Sequence, residues 1–115
     1  MPIKKPEPLC CPEPAPPAAP DAPLEGPQAD RELAQLAKAI GHPARVRILR
    51  LLSRKEARVC SQIVGELPLA QSTISEHLRI LKHAGLIRGT QDGPRIGYCI
   101  DSHALRRLRA LTAMI

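Results

Sequence analysis

The chain has 115 residues, a formal net charge of +6 at pH 7, and 43% hydrophobic residues, with Tyr98 its single aromatic side chain. That is material for one domain at most, with a small core packed from Leu, Ile, Val and Ala. No apolar run has the length of a membrane span or a signal-peptide core and no lipidation motif is present, so the expected setting is a reducing cytoplasm without membrane contact.

Residues 1–29 hold ten of the thirteen prolines and the adjacent pair Cys10-Cys11. Proline removes amide donors and fixes φ, so this stretch reads as an extended, mobile tail. Charge divides at the same place. Up to Asp30 two lysines face five acids, net −3; from Arg31 onward fifteen Lys and Arg face six acids, net +9. A folded body over 30–115 with that excess attracts polyanions, nucleic acid first.

The body predicts five helices and one hairpin. Asp30 suits an N-cap for Arg31–Ile40, with Leu33, Leu36, Ala37 and Ile40 on one face and Gly41 as the stop. Pro43 fits a first-turn position and opens a helix to Leu52, with Val46, Leu49 and Leu52 pointing inward. Ser61 caps a short helix over 61–67. Leu67-Pro68-Leu69 breaks the chain before a longer helix, Gln71–Ala84, which Gly85 ends. Along it Ile74, Leu78 and Leu81 form an apolar seam, while Gln71, Ser72, Thr73, Ser75, Glu76, Arg79 and Lys82 fill the remaining arc. Leu86–Arg88 and Ile96–Ile100 read as short strands joined by a turn-rich tip over 89–95. Ser102 caps a last helix with Leu105, Leu108, Leu111 and Ile115 as its stripe. The order α-α-α-α-β-β-α, mainly α with a small β-hairpin, is that of a winged helix-turn-helix. Its second helix enters the DNA major groove.

Three blocks, AKAIGHPARVRILRLL, PLAQSTISEHLRILKHAGLI and DGPRIGYCID, resemble the ArsR/SmtB repressors, the arsenic- and metal-responsive winged-helix regulators. The resemblance spans residues 31–115. It implies a homodimer built on the first and last helices. It also implies operator binding without any cofactor, and release when an inducer binds. One departure is plain: before Gln71 the family carries a hydroxyl side chain, and here stands Ala70.

The expected DNA contacts follow from position on the helix. Gln71, Ser72 and Thr73 open the recognition helix, where free amides and the helix dipole favour phosphate. Ser75, Glu76 and Arg79 follow toward base edges; Arg suits guanine, and Glu accepts from cytosine. His77 and Lys82 flank them toward phosphate. Arg95, in the wing tip, is placed at the minor groove or backbone. A two-fold assembly predicts a pseudo-palindromic site with half-sites roughly 34 Å apart or a multiple of that.

The four cysteines, Cys10, Cys11, Cys60 and Cys99, lack zinc-ribbon or CxxC spacing. In a reducing compartment they read as ligands or sensors, since thiolates favour soft ions. The family's Cys-x-Cys on the third helix is absent: Val59 and Ser61 flank Cys60. Some similar members join an N-terminal Cys-Cys to a third Cys near that helix. Others carry cysteines around the second strand, where Gly97 and Cys99 leave only one. The resemblance does not settle the ligands; the adjacent thiols of the flexible tail are expected to hold As(III) or Sb(III) through Cys10 and Cys11, with Cys60, favoured because it adjoins the DNA-reading helices, or Cys99 as third thiolate. Two alternatives stay open: a Zn, Cd or Pb sensor, and a thiol-oxidation or persulfide switch through Cys60 and Cys99. The family's last-helix zinc site has Asp101 and His103 here but no second pair. Cys60 and Cys99 also suit small buried hydrophobes. No catalytic motif supports an enzyme. A protein-binding adaptor on the same fold is less consistent with the polar, basic recognition helix.

Overall fold

A computed structural model describes residues 22–54, 60–92 and 95–115. The expected tail, with Cys10 and Cys11, lies outside the described residues except for its last few positions. Among the described residues, five helices and one antiparallel hairpin follow in the order read from the sequence: α1 Pro27–Ala39, α2 Pro43–Ser53, α3 Cys60–Glu66, α4 Gln71–His83, β1 Ile87–Asp92, β2 Arg95–Ile100 and α5 Ser102–Ala113.

Helix starts differ from expectation in three places. Helix α1 begins at Pro27 behind Gly26, so Asp30 sits in its first turn, where a carboxylate complements the dipole. Cys60 already belongs to α3, so Ser61 lies inside that helix. Helix α5 is capped by Asp101, whose Oδ1 accepts from the Ala104 amide at 3.0 Å, and Ser102 is its first helical residue. His42 caps α2 the same way, with Nδ1 accepting from the Ala44 amide at 3.0 Å. Helix α4 ends as expected. Gly85 holds φ +86, its amide donates to Lys82 O, and the Leu86 amide donates to Leu81 O, closing a Schellman motif.

The core is aliphatic and centres on Ile48, Leu51, Ile63, Ile74, Leu78, Leu81, Leu86 and Ile87. Each such burial contributes about 1.5–3 kcal/mol before entropy is set against it. In α2 the inward face is Ala44, Ile48, Leu51 and Leu52. Val46 and Leu49, expected inside, are only half-buried. In α1 Ala29, Leu36 and Ala39 are buried while Ala37 is exposed. Helices α1 and α5 lie against each other, with Leu108 and Leu111 turned inward and Ile115 exposed.

One guanidinium bridges α1 and α5. Arg107 donates from Nε and Nη2 to the two Glu32 carboxylate oxygens at 2.9 and 3.0 Å. It also donates to the carbonyls of Ala22 and Pro23 at 2.9 and 2.6 Å. The segment entering α1 is thereby tied to the last helix. The hairpin pairs Ile87 with Ile100 through Asp92 with Arg95. Its strands therefore run through positions 89–92 that the sequence suggested as loop. No helix among the described residues is long and apolar enough to cross a membrane.

Candidate nucleic-acid interface and neighbouring thiols

Helix α4 presents the arc that the seam predicts. Ile74, Leu78 and Leu81 are buried, and Gln71, Ser72, Thr73, Ser75, Glu76 and Arg79 are all exposed. At its start Ala70 is extended (φ −69°, ψ 155°), no side chain caps the helix, and the first turn carries no acid. The first amides of a helix lack intrahelical acceptors, so this end is an electropositive mouth open to a phosphate.

Glu76 and Arg79 are locked together. Arg79 Nε donates to Glu76 Oε1 at 3.0 Å, and Nη2 donates to Oε2 at 2.5 Å. The bond to Arg79 holds the Glu76 carboxyl below its usual range, and the same bond pushes the Arg79 guanidinium up. Lys82 leans over the wing: a Cβ built on Gly89 would sit 3.2 Å from Lys82 Nζ. The backbone of Arg95 pairs in register with that of Asp92 at the end of the hairpin. Positions 93–94 lie outside the described residues.

His77 departs from the expected flanking role. It is 8% exposed and turned into the core, and its ring centroid lies 4.5 Å from that of His42. Burial, then the charges of His42 and Arg45, hold its imidazole below the ordinary value of 6.5, with Glu76 opposing. It is a packing residue that joins the start of α2 to α4, not a phosphate ligand. Its position, three after Ile74 and four before Leu81, was the available signal. Arg45 adds to the same junction, donating from Nη1 to the carbonyls of Lys38 and Ala39 at the end of α1.

Cys60, at the first position of α3, is half-buried with a free thiol. Its Sγ lies 3.7 Å from Ser75 Oγ, so the thiol touches the expected reading helix directly. Tyr98 on β2 is near enough to feel it. Burial first, and then Cys60, raise the Tyr98 hydroxyl above its usual value. Cys99 pairs with Arg88 in the hairpin. Tyr98 and Ile100 pack against the core, and alternation along a strand sets Cys99 on the opposite face. Among the described residues no three His, Cys, Asp or Glu side chains gather into a metal-binding group. Asp101 is occupied with its cap and lies 3.9 Å from Arg88 Nε.

Comparison with known proteins places this geometry. Residues 42–88 match the family described as bacterial regulatory protein, arsR family. The chain is 42% identical over 60 residues to an uncharacterized HTH-type transcriptional regulator of Methanocaldococcus jannaschii, covering 52% of this chain and 67% of that one. It is 36% identical over 86 residues to the HTH-type transcriptional regulator CmtR of Mycobacterium bovis, covering 72% and 70%. Among solved structures, a possible transcriptional regulator for arsenical resistance superposes with a TM-score of 0.63 at 34% identity, over 70% of this chain and 81% of that one. A homodimeric winged helix-turn-helix DNA-binding domain from Mycobacterium bovis superposes with a TM-score of 0.63 at 25% identity, over 76% and 81%.

Proposed function

Since this chain belongs to the arsR family of DNA-binding transcriptional regulators, we propose that it is a metalloid-responsive repressor. As a homodimer it binds a palindromic operator with no cofactor, and it is released when As(III) or Sb(III) is captured by cysteine thiolates. The DNA-facing residues are Gln71, Ser72 and Thr73 at the phosphate, Ser75, Glu76 and Arg79 on the base side, and Arg95 from the wing. Cys10 and Cys11 supply two ligands and Cys60 the third, with Cys99 as the other candidate. Arsenous acid and three thiols yield a trithiolate arsenic centre and three waters, with no change of oxidation state.

The observation that carries this reading is the 3.7 Å contact between Cys60 Sγ and Ser75 Oγ. A ligand that draws on Cys60 pulls at the helix that meets DNA, so sensing and release need no long relay. The homodimeric relative supports the two-fold assembly. A thiol-oxidation or persulfide switch through Cys60 and Cys99 is the second reading, favoured by the free, half-buried thiol of Cys60 beside Ser75.

The test is anisotropy of a labelled duplex from upstream of the protein's own gene, titrated with arsenite, antimonite, Cd(II), Pb(II) and Zn(II), on wild type and each Cys→Ser variant. Arsenite or antimonite is expected to release DNA from wild type and to fail on Cys10→Ser, Cys11→Ser and Cys60→Ser. Affinity before inducer should fall steeply with salt, by close to one log unit per log of salt for each phosphate contacted. Undiminished release from the double Cys10→Ser/Cys11→Ser variant refutes the proposed sensor. Release by oxidant alone, with no metalloid, supports the redox reading instead.

A further inference from the structure

Glu76 stands on the base-facing arc of α4, yet both of its oxygens are taken by Arg79. The edge of the guanidinium that is used decides what the pair can do. Nε–H and one Nη2–H form the side-on edge, and Glu76 occupies both. The end-on edge, made by Nη1–H and the other Nη2–H, points away from the carboxylate. That edge matches the paired acceptors O6 and N7 of guanine in the major groove. Both side chains are more than half exposed, so the pair adds little to stability.

We propose that Glu76 is a positioning residue: it buttresses Arg79 so that the end-on guanidinium edge reads one guanine in each half-site, and it does not itself read a base. The inference rests on the reading that α4 enters the DNA groove. It reassigns Glu76 from the cytosine contact suggested by sequence to a role exercised through Arg79. Without the buttress, Arg79 is a long flexible cation beside a polyanion, and the nearest phosphate competes with the base for it. With it, moving to phosphate leaves the Glu76 carboxylate unpaired against the DNA backbone. That penalty falls on the wrong contact and not on the right one, which is how a repulsive element sharpens specificity.

The experiment is selection from a randomised duplex library with the full chain, using wild type, Glu76→Ala, Glu76→Gln and Arg79→Ala. Anisotropy then follows on the selected duplex and on a copy with the guanine replaced. Circular dichroism confirms that each variant folds. Wild type should select a guanine that Arg79→Ala no longer selects. Glu76→Ala should lower discrimination at that one position about tenfold. Its binding to unrelated duplex should strengthen, with a salt slope steeper by about one phosphate contact. Glu76→Gln, which keeps one acceptor, should fall between the two. If Glu76→Ala keeps the guanine preference, or loses a cytosine preference at another position, the buttress is overturned while DNA reading by α4 stands. An unchanged selected site with Arg79→Ala overturns it equally. If wild type selects no site, the groove-reading assignment fails and the buttress falls with it.

Discussion

Replacing Ala70 by Ser should stabilise the protein, and the structure sets the size of the gain. Ala70 already holds the extended geometry of an N-cap, and its carbonyl accepts from the Ile74 amide at 3.0 Å. Its side chain is exposed, so a hydroxyl there displaces no packing. The added oxygen accepts from the amide of Ser72 or Thr73. Removing such a cap costs about 1 kcal/mol, within a range of about 0.5–2. With no backbone rearrangement needed, the gain should sit near that centre, or roughly 4–8 °C in Tm for a domain of this size. Thermal unfolding by circular dichroism measures it, at fixed protein concentration because a dimer's midpoint depends on it. Ala70→Asp is the informative companion. It caps equally well and suits the dipole, but it sets a negative charge where phosphate is expected. Ala70→Ser should keep DNA affinity and Ala70→Asp should lose it. No rise in Tm for either variant refutes the idea that the start of α4 lacks a cap. A fully active Ala70→Asp refutes the placement of phosphate at that end.

Two further outcomes follow from polar contacts between helices. His77 has its pKa lowered in the fold, so its contribution to stability is full above the ordinary value of 6.5 and is lost as pH falls through the lowered folded value. Urea midpoints between pH 8 and 5 should decline on the acid side, and His77→Asn should flatten that decline; equal slopes for the two proteins would show that another group titrates there. Arg107→Ala should cost about 1 kcal/mol and more than Glu32→Ala, because it breaks the ion pair and also strips the Ala22 and Pro23 carbonyls of their donor. Equal urea midpoints for the two variants would mean that the carbonyl contacts contribute nothing.

The parts of the molecule that are repetitive or punctuated were legible in the sequence. The seam at Ile74, Leu78 and Leu81 fixed the phase of α4, because polar residues fill the rest of its circumference. Gly85 marked the stop, since only a residue at ease with positive φ closes that turn. Helix α2 was harder to phase. Val46, Ile48, Leu49, Leu51 and Leu52 surround much of it, so neighbours and not periodicity decide that Ile48 and Leu51 lie deepest. Pro27 marks the first position of α1, but the proline-rich run before it disguised the signal. His77 falls on the seam by spacing, whereas its chemistry suggests an outward place; its contact with His42 joins residues far apart in sequence and has no local signature. The same holds for Arg107 with Glu32. Within the candidate site, the exposed face of α4 was readable from spacing alone. The Cys60–Ser75 contact and the Glu76–Arg79 fork needed coordinates.

The lone tyrosine has an optical consequence. With no tryptophan in the chain, near-ultraviolet emission arises from one ring, and that ring sits half-buried on the wing, packed against the core. Its emission therefore reports on the packing of the wing against the core and on nothing else in the described residues. The fold carries its own label where the wing meets the core.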